Sequence, residues 1–333
     1  MTMIEVVDLR KEFVKTIKEP GLKGAIRSLV KPEKEVFEAV KGLTFEVPKG
    51  QIFGFIGANG AGKSTTIKML TGILKPTSGY CRINGRIPQD DRQEYVRDIG
   101  VVFGQRTQLW WDLALQETYT VLKEIYDVPD AAFHKRMDFL NEVLDLKEFI
   151  KDPVRTLSLG QRMRADIAAS LLHNPQVLFL DEPTIGLDVS VKDNIRQAIT
   201  QINQEEGTTI LLTTHDLSDI EQLCDRIFMI DKGEEIFDGT VHQLKEKFGK
   251  IKNLTFELSP GQAEKQSRFV GLPDIQVDRA DLVLNIQYDS SRYQTADLIQ
   301  ATFSDFAVRD LKMADTGIEE IVRRFYRKEL QHD

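Results

Sequence analysis

The sequence predicts an α/β core that carries a helical subdomain and is followed by a small C-terminal α+β module. Three observations lead there. A glycine-rich run, Gly57-Ala58-Asn59-Gly60-Ala61-Gly62-Lys63-Ser64-Thr65, lies between an apolar strand-like segment at 51–56 and a helix-like segment at 65–70. A second apolar segment, 177–180, ends in two adjacent carboxylates, Asp181 and Glu182. Near 248–253 the pattern changes, and a new set of short strand-like and helix-like segments begins.

Residues 4–7 and 43–47 read as strands, and Pro48-Lys49-Gly50 is the turn into 51–56, because Pro and Gly supply the dihedrals a tight reversal needs. An insertion at 15–36 separates the first two strands. Its basic stretch 15–34 puts Leu22, Ala25, Ile26, Leu29 and Val30 on one helical face and Lys23 and Arg27 on another, which suits an interfacial helix or a surface helix packed on its own domain. Residues 99–103 form the next strand. The stretch 112–150 is helix-rich and broken at 127–130 around Pro129. A helix follows at 163–172, with Ala165, Ala168, Ala169 and Leu172 for packing, and strands return at 177–180, 209–213 and 226–230. Segments 254–258, 277–288, 293–303 and 318–326 make the terminal module. The expected domains are 1–245, with a helical subdomain at about 105–172, and 246–333.

Composition narrows the function classes. A chain of 333 residues suffices for two domains, and a formal net charge of -8 provides no broad basic field for a phosphate backbone, so nucleic acid is not expected as a partner. Cys81 and Cys224, far apart and outside metal-ligand spacing, read as buried thiols of a reducing compartment. The five histidines form no ligand cluster. No apolar run approaches the roughly 18 residues of a membrane span, and residues 1–10 already read as a strand, so a soluble, cytoplasmic protein is expected.

The residues that carry chemistry begin with the glycine run. Gly57, Gly60 and Gly62 let the backbone turn its N–H groups inward around phosphates; Ala58, Asn59 and Ala61 complete the loop; Lys63 brings a point charge to the β- and γ-phosphates; Ser64 brings a hydroxyl to Mg2+. Thr65 opens a helix whose positive end faces the anion. At the end of 177–180, Asp181 is suited to Mg2+ and Glu182 to polarising a water for attack on the γ-phosphate. Leu157-Ser158-Leu159-Gly160-Gln161-Arg162 presents a hydroxyl and backbone N–H groups at a further helix start, a second anion site.

With these segments in this order, the chain resembles an ATP-binding cassette (ABC) ATPase, a P-loop NTPase whose signature usually reads L-S-G-G-Q; here Leu159 replaces the first Gly. The resemblance covers residues 4 to about 239 and implies that Ser158, Gly160 and Gln161 of one subunit close over ATP held by the glycine loop of another. It also implies that Gln105 touches Mg2+ and the attacking water, that Gly186-Leu187-Asp188 crosses the dimer interface, and that His215 is the switch contacting the γ-phosphate. Phe13 is the residue expected to stack on adenine, with Phe37 as its competitor. Trp110 and Trp111 lie where such ATPases receive a permease's coupling helix, and they read as interface anchors or as core.

The resemblance therefore implies ATP and Mg2+ as cofactors, a homodimer, and a polytopic permease that holds the chain on the cytoplasmic face of the membrane. One signature, no CxxC pair and no long coiled-coil insertion speak for transport over a soluble cassette of translation or DNA repair. The tail from Asp310 to Phe325 resembles that of ATP-binding subunits serving ABC-2 type exporters of drugs, ions and polysaccharides, and the 15–34 insertion resembles an extension of polysaccharide exporters. Export is the expectation, import the alternative.

Overall fold

Alternating apolar residues open the fold. In the computed structural model, which describes residues 1–17, 33–90, 92–104, 106–261, 267–315 and 317–326, strands β1 (Thr2–Ile17) and β2 (Glu33–Pro48) pair antiparallel, with Ile4 opposite Val47 and Val6 opposite Phe45. All four side chains are buried on one face. A register shift follows at Val6 to Leu9, where Asp8 takes a φ of 43°. Strand β4 (Ser78–Ile83) joins the other edge of β1, giving a three-stranded sheet in the order β2-β1-β4. The pairing extends to Ile17 and Glu33, so residues 15–17 and 33–36 of the expected insertion are strand; its helical reading otherwise falls on 18–32, outside the described residues.

A six-stranded sheet carries the chemistry. Its order is β5 (Ile99–Phe103), β6 (Val177–Asp181), β7 (Thr209–Thr213), β3 (Ile52–Gly57), β8 (Arg226–Asp231) and β9 (Glu234–Thr240), with parallel pairing from β5 through β8. Strands β3 and β7 are buried at every position, as continuous apolar runs covered on both faces must be. Phe45 of β2 packs against Phe53 and Phe55 of β3 and Phe228 of β8 at ring separations of 5.6, 5.7 and 4.7 Å, which seats the smaller sheet on the larger.

Helices cover the remaining surfaces. Helix α1 (Lys63–Leu70) follows β3, and α2 (Arg92–Asp98) sets Tyr95 against it, the hydroxyl donating to Leu70 O. Helices α3 (Leu115–Ile125), α4 (Asp130–Val143) and α5 (Leu159–Leu171) occupy the stretch expected as the helical subdomain; Tyr119 of α3 donates to Ala165 O of α5 at 3.1 Å, and Arg136 Nε of α4 donates to Leu171 O at 2.7 Å. Helix α5 begins at Leu159, ahead of the expected 163, because Ser158 caps it. Helices α6 (Val189–Glu206) and α7 (Leu217–Leu223) follow β6 and β7.

Just beyond α5, His173 stacks on Tyr126 with ring centroids 4.0 Å apart, and its Nε2 donates to Ile99 O at 2.9 Å. Burial pushes its pKa from the ordinary 6.5 down to about 4, so the stability it contributes is present above 6.5 and lost as pH falls through about 4. Asp166 runs the other way: burial raises its carboxyl from 3.8 to about 6, and its contribution is lost as pH rises through 6. The two overlap, so a difference measurement isolates the histidine. His173→Phe keeps the stack and cannot titrate. Relative to that variant, the wild type is expected to lose on the order of 3 kcal/mol between pH 6.5 and 4 in urea-unfolding midpoints. A gap independent of pH would show that His173 is not held neutral by the fold.

The chain divides into Met1–Gly239 and Thr240–Asp333, ahead of the expected 245/246 boundary, and α8 (Val241–Phe248) falls in the second unit. There β10 (Ile251–Leu258), β11 (Ile275–Ala280), β12 (Val283–Asp289) and β13 (Val308–Asp315) form an antiparallel sheet in the order β11-β12-β10-β13. The segment 277–288 is two strands turned at Asp281, whose φ is 50°. Leu254, Phe256, Leu258, Leu284, Ile286 and Tyr288 alternate toward a core closed by Leu298 of α9 (Thr295–Asp305). Phe248 meets Phe325 of α10 (Ile318–Tyr326) edge-on at 4.5 Å.

Candidate active site

The turn from β3 into α1 forms one wall of a cavity of about 1060 Å³ lined by Ala58, Asn59, Gly60, Gly62, Lys63, Ser64 and Thr65. Gly60 and Gly62 have φ of 83° and 110°, the left-handed conformation that turns successive N–H groups to one side. At Gly62 a Cβ would lie 2.7 Å from Ala39 O, so no other residue fits. Lys63 is 6% exposed, and its Nζ donates to Gly57 O at 2.6 Å and Ala58 O at 3.3 Å. Burial lowers its pKa, against the pull of Glu182 and Asp181.

The opposite wall comes from the ends of β6 and β7. Asp181 stands beside Thr213 in the sheet register and accepts its hydroxyl at 2.5 Å. Burial raises the Asp181 carboxyl, more than the Thr213 hydrogen bond lowers it. Glu182 takes a φ of 55°, a conformation that costs a non-glycine residue about 1 kcal/mol or more, and it leaves the strand direction. Its backbone passes so close to Gly104 that a Cβ there would lie 2.3 Å from Glu182 O. His215, exposed after β7, brings Nδ1 to 3.6 Å from Glu182 Oε1. Asp181, Glu182 and His215 thus face Lys63, Ser64 and Thr65 across one cavity.

The other expected residues fall elsewhere. Ser158, Gly160 and Gln161 do not line this cavity. They form the start of α5, where Ser158 Oγ accepts from Gln161 N at 3.2 Å and Gln161 Oε1 accepts from Ser158 N at 2.9 Å, a reciprocal cap. Leu159 occupies the first helical position and is half exposed. Gly160 is required by packing, since a Cβ there would lie 2.6 Å from Val191 Cγ1. Gln105 lies outside the described residues. Phe13 and Phe37 are direct partners across β1 and β2, but Phe37 lines the cavity and Phe13 does not. Thr213 was not anticipated; only the β6–β7 register puts it beside Asp181.

Ser64 and Asp181 bring a hydroxyl and a carboxylate to the same cavity, hard oxygen donors of the type Mg2+ takes together with phosphate and water. Among the described residues no cluster of three or more His, Cys, Asp or Glu could hold a metal without such outside ligands.

The chain is similar to known proteins. The sequence pattern of the family described as ABC transporter matches residues 40–185, from within β2 to just past Glu182. The daunorubicin/doxorubicin resistance ATP-binding protein of Streptomyces peucetius is 32% identical over 287 residues, covering 85% of this chain and 86% of that protein. The chain belongs to the ABC transporter family. This ABC protein is therefore an ATPase of the cassette type. A dimeric ATP-binding cassette in a post-hydrolysis state, bound to ADP and Pi, superposes with a TM-score of 0.59 at 25% identity, covering 72% of the ABC chain described here and 99% of that one. The methionine import ATP-binding protein of Geobacillus kaustophilus is also similar, at 38% identity over 211 residues, 61% of this chain and 60% of that protein.

Proposed function

We propose that this ABC ATPase is the energy-coupling subunit of an ABC-2 type exporter, acting as a homodimer on the cytoplasmic face of a membrane through a polytopic permease. One observation carries the dimer: the cavity gathers Lys63, Asp181, Glu182 and His215, while the Ser158 helix end points its exposed cap elsewhere on the same chain. Two copies, each lending Ser158 and Gly160 to the other's cavity, complete both sites. Gln161, whose amide oxygen is committed to the cap, shapes that helix end.

In this reading the loop N–H groups and Lys63 bind the β- and γ-phosphates, and Phe37 stacks on the adenine. Mg2+, held by Ser64 and Asp181 with Gln105, would neutralise phosphate charge. Glu182 orients the attacking water and accepts its proton, while His215 contacts the γ-phosphate and steadies Glu182. Loss of the γ-phosphate removes the charge that held the two Ser158 helix ends inward, and the dimer reopens.

Export is favoured by a relative whose match runs past the first unit. Met1–Gly239 is 239 of 333 residues, so a match over 85% of the chain reaches into the second unit, and that relative is a drug resistance protein; the import relative covers 61%. Among the described residues no helix is long and apolar enough to cross a membrane. Attachment through a partner follows, with the basic 15–34 segment adding about 1 kcal/mol per charge at an anionic surface.

Trp110 and Trp111, 40% and 49% exposed, supply the permease contact, and Arg162 of α5 lies over the Trp111 ring at 4.6 Å. The test is co-purification with a polytopic membrane protein that stimulates ATP turnover and moves a solute outward in vesicles. Replacing both tryptophans by Ala is expected to weaken that association by roughly 2 kcal/mol or more, about thirtyfold. Inward transport would identify an importer. ATP turnover indifferent to any permease would return the chain to the soluble class.

A further inference from the structure

Behind the cavity lies a carboxylate that no step above uses. Asp219 of α7 is 0% exposed. Its Oδ2 accepts two hydroxyls, from Thr184 at 2.5 Å and from Thr214 at 2.9 Å. Its Oδ1 accepts Arg196 Nε of α6 at 2.7 Å, and Arg196 Nη2 lies 2.5 Å away. Arg196 is held in turn by Asp193 at 2.9 Å and by Ser218 Oγ at 2.7 Å.

The places these donors occupy give the arrangement its meaning. Thr184 is two residues past Glu182, in the turn that leaves β6. Thr214 immediately precedes His215. Arg196 rides on the helix that Asp188 caps through a 3.0 Å bond to Val191 N. One buried oxygen atom therefore ties the Glu182 segment to the His215 segment, and the other oxygen ties both to α6. A buried carboxylate is costly to desolvate unless its hydrogen bonds are complete, and an apolar cluster would fill the same space at no such cost. Here both oxygens are engaged, with donors drawn from three separate segments. Glu182 itself sits in a left-handed conformation that a short turn would otherwise relax, so something must hold it there.

We propose that Asp219 is a positioning residue whose shared hydrogen bonds to Thr184 and Thr214 set the separation of Glu182 and His215 and make the two segments move as one with α6. This rests on the reading of Glu182 and His215 given above. Asp219 does not touch the nucleotide; its effect passes through the two hydroxyls.

The test uses the threonines, because Asp219→Asn would leave Arg196 buried with an incomplete partner and could unfold the chain. In the full chain, Thr184→Val and Thr214→Val are each expected to lower kcat for ATP hydrolysis by roughly 10-fold or more, from loss of one buried hydrogen bond to a charged group, with KM for ATP changed less than about twofold. Thr184→Ser and Thr214→Ser keep the hydroxyl and are expected to restore kcat. The double Val variant is expected to lose little more than either single one, since breaking either bond frees the pair. In a Glu182→Gln background the Val changes are expected to cost nothing further. Val variants with wild-type kcat, Ser variants as impaired as Val, or losses that merely follow a lowered melting temperature would each overturn the proposal. If Glu182→Gln alone leaves hydrolysis intact, the reading of Glu182 fails instead, and the two failures are distinguishable.

Discussion

Replacing Glu182 by Gln is expected to slow ATP hydrolysis by roughly 10²- to 10⁴-fold while ATP still binds, the range by which a positioned general base accelerates proton transfer. The amide has the shape of the carboxylate but cannot accept the proton of an attacking water. The phosphate loop on the far wall of the cavity is untouched, since Lys63 bonds to Gly57 O and Ala58 O rather than to Glu182. ATP then accumulates between two copies that cannot reset, so the variant is expected to run as a dimer with ATP in sedimentation and as a monomer without it. Undiminished turnover would remove Glu182 from its role. Isolated protomers at saturating ATP, with permease present, would remove the paired site altogether.

Lys63→Ala acts on the other wall, and the expected result is a loss of ATP affinity of about 10-fold to 10²-fold, read by calorimetry. Two effects add. The point charge facing the β- and γ-phosphates disappears, and so do the bonds by which Nζ gathers the carbonyls of Gly57 and Ala58. Because the ammonium is buried and its pKa lowered by that burial, an anion beside it meets little competing water. Hydrolysis falls with binding, in contrast to Glu182→Gln, where the two separate. An unchanged dissociation constant would overturn the phosphate-loop assignment.

Much of the site was legible because its parts are contiguous. The spacing of Gly57 to Thr65 between an apolar strand and a helix suits a phosphate loop, and the structure gives Gly60 and Gly62 the φ values of 83° and 110° that such a turn needs. The run ending in Asp181 and Glu182 was equally plain. Other features escaped. Strand β4 was not anticipated, and β13, whose sequence Val-Arg-Asp-Leu-Lys-Met-Ala-Asp lacks clean alternation, was not recognised as a strand; both pair with strands distant in sequence. Leu159 departs from the usual signature, and the structure takes it up in the first turn of a helix capped by Ser158. Phe37 lines the cavity and Phe13, its direct partner across the ladder, does not, a difference of lateral position between two neighbouring strands that no count along the chain carries.

The chain by itself carried the short motifs: a glycine-rich loop suited to phosphate and two carboxylates at the end of a buried strand, each in a stretch of fewer than ten residues, with the order of such stretches pointing to the family. Tertiary structure alone decided how those stretches meet. Asp181 beside Thr213, His215 within 3.6 Å of Glu182, and Asp219 joined to both Thr184 and Thr214 are consequences of parallel strand order and of a buried charge that must find partners wherever the fold brings them.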